Sequence, residues 1–208
     1  MNIFIMAAGL ATRFNGVCKQ LLPIGDNQTI LSRQVSQVIL HDPCIVSHNQ
    51  EIVDYAYSNG LMTIIPASHD TLCNSILSTQ YRWKDRVVIL LGDVIYSHRV
   101  MHAILTEEFP INFFGDEHEM FALAFSTSEI HRIVPALQEG SRHPFGKLRY
   151  AYRAFSSTPW NQNESVKQLR DDPYFHYVDC WITRDCDSMD AYNNIRHELI
   201  DKHILETQ

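Results

Sequence analysis

The sequence lacks the features that identify several large classes of protein. Its 208 residues contain no apolar run near the roughly 20 residues that a membrane-spanning helix requires. Acidic residues outnumber basic ones, 24 against 17, and the formal net charge is −7. Because nucleic-acid-binding modules carry a clustered basic excess, this balance argues against a nucleic-acid partner. We therefore expect neither a nucleic acid nor a membrane among its partners.

Cysteine is sparse and shows no pairing pattern. There are five cysteines, an odd number, and none of them forms a CxxC pair. This argues against a disulfide framework or a zinc site. The cysteines are Cys18, Cys44, Cys73, Cys180 and Cys186. The 11 histidines likewise lack HExxH or another paired metal spacing. The apolar N-terminus has no basic region of the kind that begins a signal peptide. Reduced thiols and a cytoplasmic location are the expectation.

What the sequence does contain is an alternation of strand and helix patterns. Strands are predicted at Asn2–Met6, Pro43–His48, Leu61–Pro66, Arg86–Leu91, Ile111–Phe114, Met120–Phe125 and Phe175–Trp181. Helices are predicted at Leu31–Leu40, Glu51–Ser58, Thr71–Trp83, Ser97–Glu107, Ser128–Gln138, around Phe145–Ala154 and at Asp187–Leu205. Such alternation implies parallel strands with right-handed crossovers, and therefore an α/β sandwich. No linker or internal repeat divides the chain, so residues 1–208 are expected to form a single domain.

Three segments fall where parallel strands of the predicted sheet end. Arg86–Leu91 is almost wholly apolar, which is typical of a strand buried on both faces. Gly92 and Asp93 follow it, Ala7–Arg13 follows the first strand, and Asp185–Asp187 follows the last. In α/β sheets, ligands bind beyond the carboxyl ends of the strands. We therefore expect the three segments to meet at one edge of one sheet.

The first of these segments combines small residues with nearby cations. Ala7, Ala8 and Gly9 lack bulk, so their backbone N–H groups could approach a phosphate chain closely. Arg13 can fork onto phosphate oxygens and Lys19 can add a point charge. The pattern is neither G-x-G-x-x-G nor a P-loop. A tight strand-to-helix turn with solvated basic residues remains the alternative.

The other two segments carry carboxylates. Mg²⁺ is usually held by one or two carboxylates together with substrate phosphates, and Asp93 stands at the end of the most apolar strand. An ordinary Gly-Asp turn would have the same letters. Asp187 precedes the last predicted helix, where Ser188 and Asp190 would also suit a helix N-terminus without any metal.

The spacing in the first segment resembles a known signature. Ala-Ala-Gly-x-x-x-Arg over Ala7–Arg13, followed by KQLLPIG over Lys19–Gly25, is similar to the nucleotidyltransferase superfamily. That superfamily includes sugar-phosphate nucleotidylyltransferases and the molybdenum-cofactor cytidylyl- and guanylyltransferases, and KQLLP looks most like the second branch. Ala11 departs from the usual Gly or Ser. The resemblance implies a Rossmann-like three-layer α/β/α sandwich with a mixed, mainly parallel sheet, like that of the nucleotide-diphospho-sugar transferases.

The resemblance also implies an activity. Such an enzyme transfers an NMP from a nucleoside triphosphate to a phosphorylated small molecule and releases pyrophosphate. Asp93 and Asp187 would hold Mg²⁺, and Asp185 is the alternative to Asp187. Arg13 would stabilise the β- and γ-phosphates and the leaving pyrophosphate. Lys19 would neutralise the α-phosphate.

Further residues would bind the substrates if the resemblance holds. Ala7–Gly9 would contact the base or ribose through backbone groups, and Gly92 would permit close approach. Ser75 matches a serine that touches the base or ribose, although an ordinary helix start explains it equally well. Lys147 could reach an acceptor phosphate or be a surface lysine.

Two other functions compete with this one. A metal-dependent glycosyltransferase of the same general fold would use Asp185–Asp187 as an Asp-x-Asp motif and a nucleotide sugar as donor. A non-catalytic nucleotide-binding module would bind the triphosphate without turnover. The base, the acceptor and the oligomeric state stay open at this point.

Overall fold

The computed structural model describes residues 1–8, 17–25, 27–68, 70–116, 119–156, 169, 172–178, 184–185 and 188–201. The strands are β1 (Asn2–Met6), β2 (Pro23–Gly25), β3 (Gln28–Thr29), β4 (Cys44–Val46), β5 (Met62–Ile64), β6 (Arg86–Leu91), β7 (Val94–Ile95), β8 (Ile111–Gly115), β9 (Met120–Ser126), β10 (Phe175–Tyr177) and β11 (Arg184–Asp185). The helices are α1 (Ile30–Val38), α2 (Gln50–Ser58), α3 (Leu72–Leu77), α4 (His98–Thr106), α5 (Ile130–Ser141), α6 (Leu148–Ser156) and α7 (Met189–Asp201).

A mixed, mainly parallel sheet lies at the centre of the fold. Its seven strands have the order β10-β8-β9-β6-β1-β4-β5. β6, β1, β4 and β5 run parallel, β10 pairs parallel with β8, and β9 is antiparallel to both β6 and β8. β1 and β6 are direct neighbours, with Met6 opposite Leu91. The two loops that follow these strands therefore begin side by side.

Hydrophobic residues cover both faces of this sheet. Phe4 and Ile89 pack with residues of α3, α5 and α6 in one cluster. Ile5 and Leu90 pack with residues of α1, α2 and α4 in the other. Consecutive residues of a strand point to opposite faces, so an uninterrupted apolar strand supplies both clusters. The result is the predicted three-layer α/β/α arrangement.

Within the described residues, the largest difference from a predicted helix boundary occurs at the end of α3. The helix predicted over Thr71–Trp83 ends at Leu77. The hydroxyl groups of Ser78 and Thr79 donate to the carbonyls three residues earlier, at 2.6 and 2.7 Å. Such local side-chain bonds compete with helix continuation. Trp83 then folds back, so that its Nε1 donates to Thr79 Oγ1 at 2.8 Å.

The helix predicted around Phe145–Ala154 begins later, at Leu148. Phe145 and Gly146 have φ angles of +64° and +52°, which a right-handed helix does not allow. Parts of other predictions lie outside the described residues: 179–181 of the last strand, and Asp187 with 202–205 of the last helix. Within the described part of the chain, none of the helices combines the length and the apolarity needed to cross a membrane.

Candidate active site

Backbone hydrogen bonds join the start of the loop after β1 to the two neighbouring strands. Ala7 N donates to Val46 O at 2.8 Å, and Gly92 N donates to Met6 O at 2.9 Å. The hydroxyl group of Ser47 donates to Ala7 O at 2.8 Å. Ala7 and Ala8 are both buried. The carboxyl ends of three strands are thereby joined at the place where the sequence predicted phosphate binding.

Gly92 lies in close contact with the backbone of Met6 and with Ala7. A Cβ atom at position 92 would lie 2.9 Å from Met6 O and 3.1 Å from Ala7 Cβ. Real Cβ atoms do not come within 3.0 Å of a backbone oxygen, so a larger residue would push β6 away from β1. Glycine at this position lets the turn that carries Asp93 lie directly against the first loop.

Lys19 and Asp93 are brought together at this edge. The Nζ atom of Lys19 forms an ion pair with Asp93 Oδ2, and the two side chains are 14% and 23% exposed. Lys19 is held in a tight turn, where Leu21 N donates to Cys18 O at 3.0 Å and Leu22 N to Lys19 O at 3.1 Å. Two residues that the sequence proposed for one site, from separate loops, are therefore in contact.

The thiol beside Lys19 is not a nucleophile. Cys18 is buried, and desolvation raises the pKa of its thiol above the usual range. Its Sγ donates to Gln20 Oε1 at 3.4 Å. A protonated, buried thiol does not attack a substrate. Burial therefore argues against Cys18 as a nucleophile of this segment.

The third predicted segment comes next to Asp93 through a short antiparallel pairing. Asp185 in β11 pairs with Val94 in β7, and Val94 directly follows Asp93. Asp187 lies outside the described residues, as do Gly9 and Arg13. The contact between β11 and β7 brings the backbone of the last segment to the same place as the first two.

The hydroxyl group of Ser75 forms hydrogen bonds near the start of α3. It lies within α3 and is buried, and its hydroxyl donates to Thr71 O at 3.2 Å and to Ser68 O at 3.4 Å. Among the described residues, the side-chain hydrogen bonds of Ser75 stay within the 68–78 segment, and its role in substrate binding stays a prediction.

A second lysine–carboxylate pair lies at the same edge of the sheet. Lys147, which directly precedes α6, forms an ion pair with Glu119, and their side chains are 33% and 23% exposed. Glu119 directly precedes β9, and the antiparallel direction of β9 brings its first residue to the edge where its neighbours end. Sequence reasoning missed Glu119, because a strand reversal is not visible in the alternation of strands and helices.

Several solved structures superpose on this chain over nearly its full length. CTP:phosphocholine cytidylyltransferase from Streptococcus pneumoniae superposes with a TM-score of 0.64 at 14% identity, covering 95% of this chain and 98% of that one. The inositol-1-phosphate CTP transferase from T. maritima gives 0.63 at 11%, covering 99% and 96%. A UDP-glucose pyrophosphorylase gives 0.66 at 12%, covering 97% and 98%. This likeness confirms the predicted nucleotide-diphospho-sugar transferase-like fold.

The family follows from the sequence match. Residues 3–158 match the family model of the MobA-like NTP transferase domain. The chain belongs to this family, and is therefore a nucleotidyltransferase by class. Among curated protein sequences, none matches the chain significantly.

Proposed function

We propose that this chain is a cytoplasmic, Mg²⁺-dependent nucleotidylyltransferase that transfers an NMP from a nucleoside triphosphate to a phosphorylated small molecule. The observation that carries the proposal is the contact of Lys19 with Asp93 beside the Ala7–Gly92 close approach. A cation and a carboxylate are placed at the end of two adjacent parallel strands, where ligands of α/β sheets bind. The family supports nucleotidyl transfer as the reaction class.

The reaction needs no covalent enzyme intermediate. A phosphate oxygen of the acceptor attacks the α-phosphorus, a new P–O bond forms, and the bond to the β-phosphate breaks to release pyrophosphate. Catalysis of such a displacement is mainly positioning and charge neutralisation. Lys19 would neutralise charge on the α-phosphate. Arg13 would stabilise the β- and γ-phosphates and the leaving pyrophosphate.

The donor set fits a hard cation. Among the described residues no three His, Cys, Asp or Glu form a metal-binding cluster, but Mg²⁺ usually needs only one or two carboxylates besides phosphate oxygens and water. Asp93 is a partly exposed carboxylate at the strand end, and would hold the ion with Asp187, or with Asp185 in its place. When bound, Mg²⁺ neutralises phosphate charge. Lys19 adds a second positive charge to the same place.

The backbone around the first loop would bind the nucleotide. Ala7, Ala8 and Gly9 would contact the base or ribose, and Gly92 would keep the neighbouring turn close enough for one ligand to touch both loops. The burial of Ala7 and Ala8 beneath three strand ends supports this assignment. Ser75 stays a weaker proposal, because its hydroxyl would have to leave Thr71 O to reach a ribose.

The ion pair of Lys147 and Glu119 would bind the acceptor substrate. Lys147 would bind the acceptor phosphate and Glu119 would hold that ammonium group in place, since both belong to the carboxyl edge. The structural neighbours named above act on phosphocholine, inositol 1-phosphate or UDP-glucose, so phospho-alcohols and sugar phosphates are the acceptors to test first.

A pyrophosphate-release screen tests the proposal. Each of the four NTPs is combined with a panel of sugar phosphates and phospho-alcohols, with Mg²⁺ and with EDTA. Asp93→Ala and Lys19→Ala are expected to lower kcat by about 10²–10³-fold, the usual effect of removing one preorganised charge contact. Lys84→Ala is the matched control, because Lys84 is exposed and directly precedes Asp85 and β6, at the opposite end of that strand.

The screen also separates the competing functions. Release of a nucleoside diphosphate from a nucleotide sugar would identify a glycosyltransferase instead. NTP binding by calorimetry without turnover on any acceptor would identify a non-catalytic module. Wild-type rates in both Asp93→Ala and Lys19→Ala would contradict the residue roles.

A further inference from the structure

One side chain of α1 closes the turn that carries Asp93. Gln34 is fully buried, and its Nε2 donates to Leu91 O at 3.0 Å and to Val94 O at 2.6 Å. These two carbonyls lie immediately before Gly92 and immediately after Asp93. A single amide group therefore ties together both ends of the two-residue turn.

Gln34 forms these hydrogen bonds with only one end of its amide group. Both of its partners are carbonyl oxygens, which only the NH₂ end of the amide can serve. Its own oxygen, Oε1, is buried and has no hydrogen-bond partner among the described residues. An unsatisfied buried acceptor is unfavourable, whereas a methionine would fill the same space without it. The NH₂ group of Gln34 is therefore the part of the side chain that interacts with the turn.

Two other side chains of α1 donate to a carbonyl that lies beyond this turn. Arg33 Nε and Gln37 Nε2 both donate to Tyr96 O, at 3.3 and 3.1 Å. The Tyr96 hydroxyl accepts from Leu91 N at 3.0 Å and donates to Phe121 O at 2.8 Å. α1 is thus joined to the 91–96 segment at two places, and only Gln34 among these side chains bonds to both sides of Asp93.

The same helix is fixed to the segment that carries Lys19. Ile30 N, at the first residue of α1, donates to Leu22 O at 3.2 Å. A capping box of Thr29 and Ser32 fixes this helix end. Gln34 follows Ile30 by about one helical turn, a rise of about 6 Å. A short rigid element therefore connects the Lys19 segment to the Asp93 turn.

We propose that Gln34 is a positioning residue that sets the contact between Lys19 and Asp93. It acts through the backbone of the Asp93 turn and touches no substrate. Its effect on turnover rests on the proposed function, whereas its effect on the turn does not. Removing a group that orients a metal ligand typically lowers metal affinity or activity by about 10–100-fold, and Gln34 would orient Asp93 through its backbone.

Hydrogen exchange tests the turn directly. Gln34→Met keeps the length of the side chain and removes both donors. Amides of residues 91–95 are expected to exchange at least tenfold faster in this variant than in the wild type. Gln37→Met is the matched control, since it removes one hydrogen bond from α1 to Tyr96 O but none to the carbonyls around Asp93. Its amides at 91–95 should stay within threefold of the wild type.

Kinetics test the consequence. Gln34→Met should lower kcat about 10–100-fold and raise the half-saturating Mg²⁺ concentration about tenfold, with the KM for NTP within threefold. Gln37→Met should leave all three within threefold. A merely structural role would lower the melting temperature of both variants and leave the Mg²⁺ requirement unchanged, which would overturn the proposal.

The two proposals fail separately. If Asp93→Ala turns over normally, the role of Asp93 is wrong, and the exchange result for Gln34→Met still stands or falls by itself. If Asp93→Ala is inactive and Gln34→Met has wild-type kcat and exchange, the positioning role alone is wrong. If Gln34→Met does not fold, the wild-type protein decides. The side-chain NH₂ protons of Gln34 should exchange at least tenfold more slowly than those of the exposed Gln50, because they donate to the buried carbonyls of Leu91 and Val94, and exchange at the same rate would overturn the proposal.

Discussion

The ammonium group of Lys19 contacts the carboxylate of Asp93 at the carboxyl edge of the sheet. The two residues come from loops that follow β1 and β6, which are adjacent parallel strands. Their contact therefore depends on strand order and not on local sequence. Both side chains are largely shielded from water, so the attraction between them is stronger than in a fully solvated pair. The size and shape of the cation should matter at such a position.

Lys19→Arg is expected to lower kcat at least tenfold although the charge is kept. Lysine presents a compact ammonium group, whereas arginine presents a longer, planar fork with five donors. At 14% side-chain exposure, position 19 has little room for that fork beside Asp93. Steady-state pyrophosphate release measures the effect. A Lys19→Arg variant as fast as the wild type would show that any positive charge suffices, with Lys84→Arg as the control for the substitution itself.

The sheet was largely predictable because its strands have strong patterns. Asn2–Met6 and Arg86–Leu91 are apolar over nearly their full length, and both predicted ranges agree with β1 and β6. The helix predicted over Thr71–Trp83 was too long, because the hydroxyl groups of Ser78 and Thr79 turn back onto the helix. Apolar periodicity does not report such local hydrogen bonds.

The site was only partly predictable from the sequence. The sequence named Lys19 and Asp93 for one site, and the parallel pairing of β1 with β6 explains why they meet. The sequence did not indicate Glu119 or Gln34, because each bonds to a partner distant in the chain, Lys147 for the first and the carbonyls of Leu91 and Val94 for the second. Neither pairing leaves a spacing signal in the sequence.

Tyr192→Phe is expected to lower the free energy of unfolding by about 1 kcal/mol, the typical net value of a buried hydrogen bond. The Tyr192 hydroxyl donates to Pro23 O, which connects α7 to β2. Tyr57→Phe is the matched control, since Tyr57 is 85% exposed in α2 and should change stability by less than about 0.5 kcal/mol. Urea unfolding measures both. Equal stability of the two variants would show that α7 does not depend on this bond.

The buried thiols should make stability fall in alkaline solution. Burial raises the pKa of Cys44 to about 11 and that of Cys73 to about 12, from an ordinary value of 9.0. Between pH 9 and 11 the unfolded chain loses these protons while the folded chain keeps them, so the unfolded state binds fewer protons and stability decreases with rising pH. Urea unfolding at pH 8, 9 and 10 measures the slope.

A Cys44→Ala/Cys73→Ala double variant should show a shallower decrease of stability over the same pH range. At pH 8 the native thiols at positions 44 and 73 should also resist alkylation, because thiols that are buried and protonated react slowly, whereas the unfolded chain is alkylated readily. Mass spectrometry of alkylated peptides reads this out. Rapid labelling of Cys73 in the native protein would contradict its burial.

Gly92→Ala should impair folding and turnover together. The new methyl group would lie 2.9 Å from Met6 O and 3.1 Å from Ala7 Cβ, so β1 and β6 would have to separate. Overpacking of this kind costs about 1–3 kcal/mol. Separation would also move Asp93 away from Lys19, because Asp93 is the next residue. We expect a lower urea midpoint and at least a tenfold lower kcat.

A second substitution tests whether crowding is the cause. Ala7→Gly removes the methyl group that would lie 3.1 Å from the new Cβ, but leaves the contact with Met6 O. The double variant Gly92→Ala/Ala7→Gly should therefore recover part of the urea midpoint lost by Gly92→Ala, although Ala7→Gly alone lowers it. Residues in contact give non-additive effects of this kind, whereas independent ones add. Strict additivity of the two changes would mean that the loops after β1 and β6 are not held together at Gly92.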